Sequence, residues 1–277
     1  MDLEEARPSG PTAAQERTPR PPVRAVVWHD LECGAYRADL AIWLELAAQA
    51  NPSATVLDVG AGTGRVALPL ARAGHRVTAL DMNRDLLDAL SKRPGGREVE
   101  AICADARSFS LDREDFDACF VPMQTIQLLR NHDERMAFLR SARAHLRPGG
   151  VLACAIVTAV EPFDCARGQL GPAPETTTVG GDRYVSRPTR VNVNAERVLI
   201  ERERRIYPLG AEDSDPDALL RRGPAVLFSE RHTDELATLS AAVLQSEGIG
   251  AGLAVGEVLE IAATAEHVGS QVVVLGA

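Results

Sequence analysis

The sequence lacks the features that mark several classes of protein. No stretch approaches the roughly 20 consecutive apolar residues of a membrane-spanning helix, so we expect no contact with a membrane. Residues 1–24 contain five prolines and balanced charge, without the apolar core of a signal peptide. We therefore expect a disordered or loosely draped N-terminal arm there, on a cytoplasmic protein.

Cysteine is too irregularly spaced to indicate a disulfide framework or a metal site. No pair has the Cys-x-x-Cys spacing that is typical of zinc or redox sites, and the five residues are odd in number: Cys33, Cys103, Cys119, Cys154 and Cys165. Three of them fall within apolar runs that resemble strands, where a thiol packs as a small hydrophobic group. The expectation is reduced thiols and no bound metal.

The chain also has fewer basic than acidic residues. The chain has 30 Lys and Arg against 39 Asp and Glu, a net charge of −9, which argues against a nucleic-acid-binding surface. Aromatic residues make up only 4%, while Ala and Arg are abundant. That composition is typical of GC-rich actinobacterial genes and by association suggests natural-product tailoring. The apolar fraction of 45% is ample for a globular core in 277 residues.

The middle of the chain alternates short apolar runs with amphipathic ones, which predicts a doubly wound α/β domain over residues 25–160. Near-continuous apolar strands indicate a parallel sheet that is covered on both faces. The predicted strands are 56–60, 77–81, 99–103, 116–121 and 151–157, and the predicted helices include 65–73, 84–91 and one that is capped by Asn131.

The rhythm changes over residues 161–229, where alternating polar and apolar residues predict an antiparallel β-rich lid inserted after the fifth strand. Its arginines and glutamates interleave, which indicates a solvated face with cross-strand pairs or a lid for an anionic substrate. An edge strand there could also pair two chains into a homodimer. Residues 230–277 should complete the core sheet, with a helix that Thr233 caps and Gly248 closes, followed by strands 253–261 and 271–275.

The stretch VLDVGAGTGRVALPLA predicts a strand, a tight turn and a helix, with Gly60, Gly62 and Gly64 in the turn. Such a turn brings backbone N–H groups and a positive helix end against a ligand. Arg65 stands where the dinucleotide fingerprint needs its third glycine, and the chain contains no triphosphate-binding loop. Asp81 ends the second strand, where a carboxylate can accept hydrogen bonds from two ribose hydroxyls.

Together with ALDMN, CADAR, FDACFVPMQTIQLL and LRPGGVLACAI, this stretch resembles the class I S-adenosylmethionine-dependent methyltransferases over about residues 35–157. The resemblance implies a Rossmann-like seven-stranded sheet whose last strand is antiparallel. It also implies that S-adenosylmethionine is held by the glycine loop at its methionine part, by Asp81 at the ribose and by Asp105 at the adenine. The full expected set is Tyr36, Gly60, Ala61, Gly62, Gly64, Asp81, Met82, Asp105, Ala106, Met123 and Gln124.

The sequence says less about the methyl acceptor than about the cofactor. The loop VPMQTIQLL lacks the Asn/Asp-Pro-Pro-aromatic tetrad of enzymes that methylate DNA bases or glutamine side chains, which favours a small-molecule acceptor with O, N or C as the methylated atom. Arg65, Thr125 and Tyr184 are candidates for the substrate pocket, and His29 or His267 for a general base, if one is used. The alternatives are methylation of a protein or RNA side chain, and a non-catalytic protein that binds the cofactor.

Overall fold

The computed structural model describes residue 19 and residues 21–208, 215–216, 226–264 and 267–277. Within this part of the chain, no helix is both long and apolar enough to cross a bilayer. The expected arm, residues 1–24, lies mostly outside the described residues. Its last four residues begin the first helix, which starts at Pro21.

A seven-stranded sheet forms the core. Its strands are β1 (Thr55–Val59), β2 (Arg76–Asp81), β3 (Glu100–Cys103), β4 (Phe116–Val121), β5 (Leu146–Ile156), β11 (Ala254–Ile261) and β12 (Ser270–Gly276). Their order is β11-β12-β5-β4-β1-β2-β3, and β12 runs antiparallel to both of its neighbours. The expected sheet with its antiparallel last strand is confirmed.

Six described helices accompany the sheets: α1 (Pro21–Glu32), α2 (Leu40–Ala50), α3 (Ala67–Arg72), α4 (Arg84–Lys92), α5 (His132–His145) and α6 (Ala241–Gly250). The core sheet is buried on both faces, since consecutive residues of β1 belong to different apolar layers. Val56 packs in the layer that contains Trp43 of α2, whereas Leu57 packs in the layer that contains Phe138 of α5. This two-sided burial explains the nearly continuous apolar strands of the sequence.

The expected lid is present as a second, five-stranded sheet. Its strands are β6 (Phe163–Asp164), β7 (Glu175–Val179), β8 (Asp182–Val193), β9 (Arg197–Tyr207) and β10 (Phe228–Ala237). The order is β10-β9-β8-β6, with β7 also paired to β8, and all of these pairs are antiparallel. The insertion leaves the core after β5 and returns to it before α6.

One predicted element is wrong. Thr233 does not cap a helix: Phe228–Ala237 pairs with β9 over ten residues, so the lid sheet extends past the expected boundary at residue 229. The sequence Thr-Asp-Glu imitates a helix start, but its side chains alternate between the two faces of a strand. The helix begins later, where the Ser240 side chain accepts a hydrogen bond from the N–H of Val243, and it continues to Gly250 rather than ending at Gly248.

Candidate functional site

The glycine loop is held in place by the ends of β1 and β2. The N–H groups of Gly60 and Ala61 donate to the carbonyl of Leu80 at 2.8 and 3.1 Å. One Asp81 carboxylate oxygen accepts from the N–H of Gly62 at 2.8 Å, and the other accepts from the N–H of Asn83 at 2.8 Å. Gly60 and Gly62 have φ of 72° and 54°, in the left-handed region that glycine adopts without strain. Asp81 therefore holds the glycine loop, where the sequence predicts a ligand-binding site, in its conformation.

Helix α1 lies directly on this loop. A Cβ atom on Gly62 would overlap the His29 imidazole, so a side chain is excluded at that position. The Thr63 hydroxyl donates to Asp30 of α1 at 2.7 Å. His29, a sequence candidate for the base, is thus brought to the glycine loop with its side chain 23% exposed.

A buried carboxyl lies under the loop. Asp58 lies at the end of β1 and is 1% exposed. Burial raises the pKa of Asp58 to about 7, while the nearby Arg65 guanidinium opposes this shift. A carboxylate buried behind the glycine loop favours a ligand that carries positive charge, as a sulfonium compound does. Sequence reasoning did not single out Asp58, because in the strand pattern it stands as one polar residue within an apolar run.

Arg65, a candidate for the substrate pocket, lies in a buried ion pair. Its guanidinium donates to both carboxylate oxygens of Asp39, at 2.5 and 2.7 Å, and to the carbonyl of Tyr36 at 3.1 Å. The side chains of Arg65 and Asp39 are 7% and 0% exposed. A buried guanidinium that already has a carboxylate partner is not available to pair with a substrate carboxylate.

The loop after β4 contacts the glycine loop at Gly60. Met123 has φ of 55°, an uncommon conformation for a residue with a side chain, and such strain is concentrated at functional sites. Gln124 follows and precedes a 3-10 helix, Thr125–Leu128. Thr125 fills the space in which a Cβ of Gly60 would lie, and its hydroxyl donates to the carbonyl of Pro122 at 3.0 Å.

A buried glutamine ties this loop to the lid. The Gln127 amide donates to the carbonyl of Val157 at 3.1 Å and to that of Ala237 at 3.0 Å, and its oxygen accepts from the N–H of Val157 at 2.8 Å. Val157 is where the chain leaves the core for the lid, and Ala237 is where the lid ends. No local pattern indicates this role, because the partners of Gln127 are up to 110 residues away along the chain.

The part of the site where the adenine is expected is exposed to solvent. Asp105 is engaged by Arg107, whose side chain donates to its carboxylate at 2.6–3.1 Å. This hydrogen bonding lowers the pKa of Asp105. Met82 is 75% exposed, and Ala106 packs at the edge of the apolar layer that contains Leu80. An adenine amino group would therefore have to share Asp105 with Arg107.

Tyr36 and His267 come together although they are 231 positions apart in the sequence. Their rings meet edge to face with centroids 4.8 Å apart, and the Arg65 guanidinium lies 5.2 Å from the centre of the Tyr36 ring. Tyr36 is buried, with 7% exposure. The second candidate base is therefore positioned beside a predicted cofactor contact.

Tyr184, a candidate for the substrate pocket, is buried between the lid and α1. It is 1% exposed and packs against Trp28 of α1, with ring centroids 5.0 Å apart. On the same side of the lid, Glu32 accepts from Arg204 at 2.7 and 2.6 Å. Tyr184 therefore joins the lid to α1, which in turn covers Gly62, and its place in a substrate pocket stays a prediction.

Comparison with known proteins agrees with this geometry. Residues 56–150 match the model of a family described as a methyltransferase domain. The chain is 37% identical over 132 residues to the cypemycin N-terminal methyltransferase of a Streptomyces species, which covers 48% of this chain and 52% of that protein. It is 33% identical over 110 residues to a demethylmenaquinone methyltransferase of Clavibacter sepedonicus, and this match covers 39% of this chain and 43% of that protein. The chain thus spans about half the length of these curated relatives or less.

Solved structures show the same fold over nearly the whole chain. A sugar N-methyltransferase from a Streptoalloteichus species has a TM-score of 0.66 at 16% identity and covers 100% of this chain and 98% of its own. An amino pentose methyltransferase from Micromonospora echinaspora has a TM-score of 0.62 at 19% identity, covering 91% and 96%. Residues 56–150 therefore contain a methyltransferase domain, and the glycine loop, Asp81 and the sheet order are those expected from the resemblance to the class I S-adenosylmethionine-dependent methyltransferases.

Proposed function

We propose that this protein transfers the methyl group of S-adenosylmethionine to a small-molecule acceptor. The observation that carries the proposal is the Asp81 carboxylate, which positions the glycine loop through Gly62 and still has acceptor capacity. A carboxylate offers about four lone-pair positions, and the loop uses two of them. The other two suit the paired hydroxyls of a ribose.

The remaining cofactor contacts follow from the same geometry. Gly60, Ala61 and Gly62 would receive the methionine part, with the buried Asp58 carboxylate behind them to favour its positive charge. Tyr36 would close the site near His267. Gly64 supports the loop from below, because a Cβ there would meet Leu68 and Leu90 at 3.0 Å. Met82, Asp105, Ala106, Met123 and Gln124 complete the proposed binding set.

Methyl transfer from S-adenosylmethionine depends more on the positioning of the acceptor than on a reactive protein side chain. S-adenosylmethionine supplies an already electrophilic methyl group, so the protein must align the acceptor and exclude water. Positioning of this kind can account for roughly 7–11 kcal/mol of a barrier. Helix α1 and the lid sheet, joined through Glu32 and Arg204, form the cover that can do this.

The small-molecule acceptor is supported by the architecture and by the names of related proteins. The sugar N-methyltransferase and the amino pentose methyltransferase share the whole fold, including the region of the lid. The cypemycin enzyme is named for an N-terminal acceptor, so a peptide terminus is the second candidate. Natural-product tailoring, homodimer formation and a cytoplasmic location stay predictions.

The test is the fate of a labelled methyl group. The protein is incubated with S-adenosyl-L-[methyl-³H]methionine and a Streptomyces culture extract, and label is counted separately in small molecules, protein and RNA. We expect label in the small-molecule fraction only. Label confined to protein or RNA would replace the proposed acceptor class, and no label in any fraction would contradict methyl transfer.

A further inference from the structure

Strand β10 crosses from the covering helix to the loop after β4. At its start, Phe228 packs in one apolar cluster with Trp28 of α1. At its end, the carbonyl of Ala237 accepts from Gln127 at 3.0 Å. Because a strand rises about 3.3 Å per residue, residues near its middle lie between α1 and the loop after β4.

One face of β10 is turned toward α1. Side chains alternate along a strand, so the even-numbered residues from Phe228 to Leu236 share one face. Phe228 packs near α1, and Leu236 packs with Val198 and with Val160 just beyond the end of β5. Glu230 of the same face is joined to Glu32 of α1 through Arg204. The face is therefore turned toward α1, the helix that covers Gly62.

A histidine and an aspartate form a pair in the middle of this face. His232 Nε2 lies 3.1 Å from Asp234 Oδ1, and the side chains are 39% and 36% exposed. Burial alone would raise the pKa of Asp234, but the hydrogen bond from His232 and the charges of Arg202 and Arg204 hold that pKa below its usual value. An ionised Asp234 accepts from Nε2–H, which leaves Nδ1 of His232 as the proton acceptor.

The charges around the pair favour a cationic acceptor. Among the described residues of this network, four carboxylates accompany two guanidiniums: Glu32, Glu175, Glu230 and Asp234 with Arg202 and Arg204. The most enclosed groups, Glu32 and Arg204, neutralise each other at 8% and 11% exposure. Asp234 and Glu230 lie at the exposed end, where each is 36% exposed and within reach of an ammonium group, which a carboxylate attracts.

We propose that His232, held by Asp234, binds the ammonium group of an amine acceptor and removes the proton that blocks its lone pair. This deepens the proposed function and rests on it. The ammonium N–H gives its proton to His232 Nδ1, and the amine lone pair forms the N–C bond while the S–C bond breaks with its electrons remaining on sulfur. The products are the methylated ammonium and neutral S-adenosylhomocysteine, and the imidazolium returns its proton to water.

The test uses the full chain, labelled S-adenosylmethionine and the small-molecule fraction of a Streptomyces culture extract as the acceptor probe. One half of the extract is treated with N-acetoxysuccinimide and then hydroxylamine, which leaves amines acetylated and hydroxyls unmodified. The variants are His232→Ala, with and without added imidazole, and Thr233→Ala. Thr233 is the matched control because it lies on the exposed face of the same strand.

We expect amine blocking to remove at least nine-tenths of the label. His232→Ala should lower the rate by about 10²–10⁴-fold, the usual effect of losing a general base. Imidazole should restore part of that rate, calorimetric affinity for S-adenosylmethionine should stay within twofold of the wild type, and Thr233→Ala should retain the wild-type rate.

Three results would overturn the inference while leaving the proposed function intact. They are labelling that survives amine blocking, a His232→Ala rate within threefold of the wild type, and a loss that imidazole does not reverse although the cofactor still binds. Absence of labelling by the wild type would instead remove the proposed function and this inference together.

Discussion

Arg65 and Asp39 form a buried ion pair in which the guanidinium donates to both carboxylate oxygens, at 2.5 and 2.7 Å. Asp39 also accepts from the Trp43 indole at 2.8 Å. The pair links the helix that follows the glycine loop to α2, so it acts on the stability of the cofactor region rather than on a substrate.

Asp39→Asn should therefore destabilise the fold. Removing one partner of a buried pair leaves an uncompensated charge, which costs about 3–5 kcal/mol. The measurement is the free energy of unfolding in urea, with Trp43 among the fluorescent reporters. The double variant Asp39→Asn/Arg65→Met should recover part of the loss. A loss below about 1 kcal/mol, or no recovery, would show that the pair is not the buried contact described.

Gly62→Ala should be more harmful than the same change at Gly74. Both residues have positive φ, 54° and 94°, so both variants carry the backbone strain of about 1–2 kcal/mol. Only at Gly62 would the new methyl overlap the His29 imidazole, since nothing lies within 4 Å of a Cβ on Gly74. Urea denaturation should show the larger loss for Gly62→Ala, and adding His29→Ala should remove the excess. Equal losses at the two glycines would contradict the position of α1.

Asp58→Asn should stabilise the protein at neutral pH and not in acid. The folded-state pKa of Asp58 is raised by burial from 3.8 to about 7. Between these values the folded state holds a proton that the unfolded chain has released, so this group's contribution to stability falls as the pH rises through that window.

The advantage of the Asp58→Asn variant should grow from near zero at pH 4 to roughly 2–4 kcal/mol above pH 7. Urea denaturation at pH 4, 6 and 8 measures it. Asp88→Asn, at an exposed position of α4, is the control that should show no such growth. An Asp58→Asn difference that does not depend on pH would show that Asp58 is ionised throughout this range.

Local patterns predicted much of this structure. Apolar runs, the glycine spacing and the caps at Asn83 and Asn131 are signals within a few residues, and they place β1 to β4 and their helices within two residues. The strand β5 begins at Leu146, five residues before the predicted start. The antiparallel β12 was implied by family resemblance. By contrast, the partner of Arg65, 26 positions away, depends on how α2 packs, which no local pattern encodes.

The lid also contains a contact that no local sequence pattern predicts. Thr233 precedes two acidic residues, as a helix cap does, and only its pairing with Glu201 of β9 makes it part of a strand. The contact of His29 with Gly62 joins segments that are separated by β1 and α2 along the chain. Such contacts arise from the assembly of the core, the lid and α1, and they determine which polar groups the site presents.

The most direct test of the account is a calorimetric titration of the protein with S-adenosylmethionine, repeated on Asp81→Ala with Asp88→Ala as the exposed control. We predict binding at one site, a loss of roughly 1.5–3 kcal/mol on Asp81→Ala because hydrogen bonds to a charged group are removed, and no change on Asp88→Ala. Absence of binding by the wild type, or equal affinity in Asp81→Ala, would contradict the central claim that Asp81 and the glycine loop hold this cofactor.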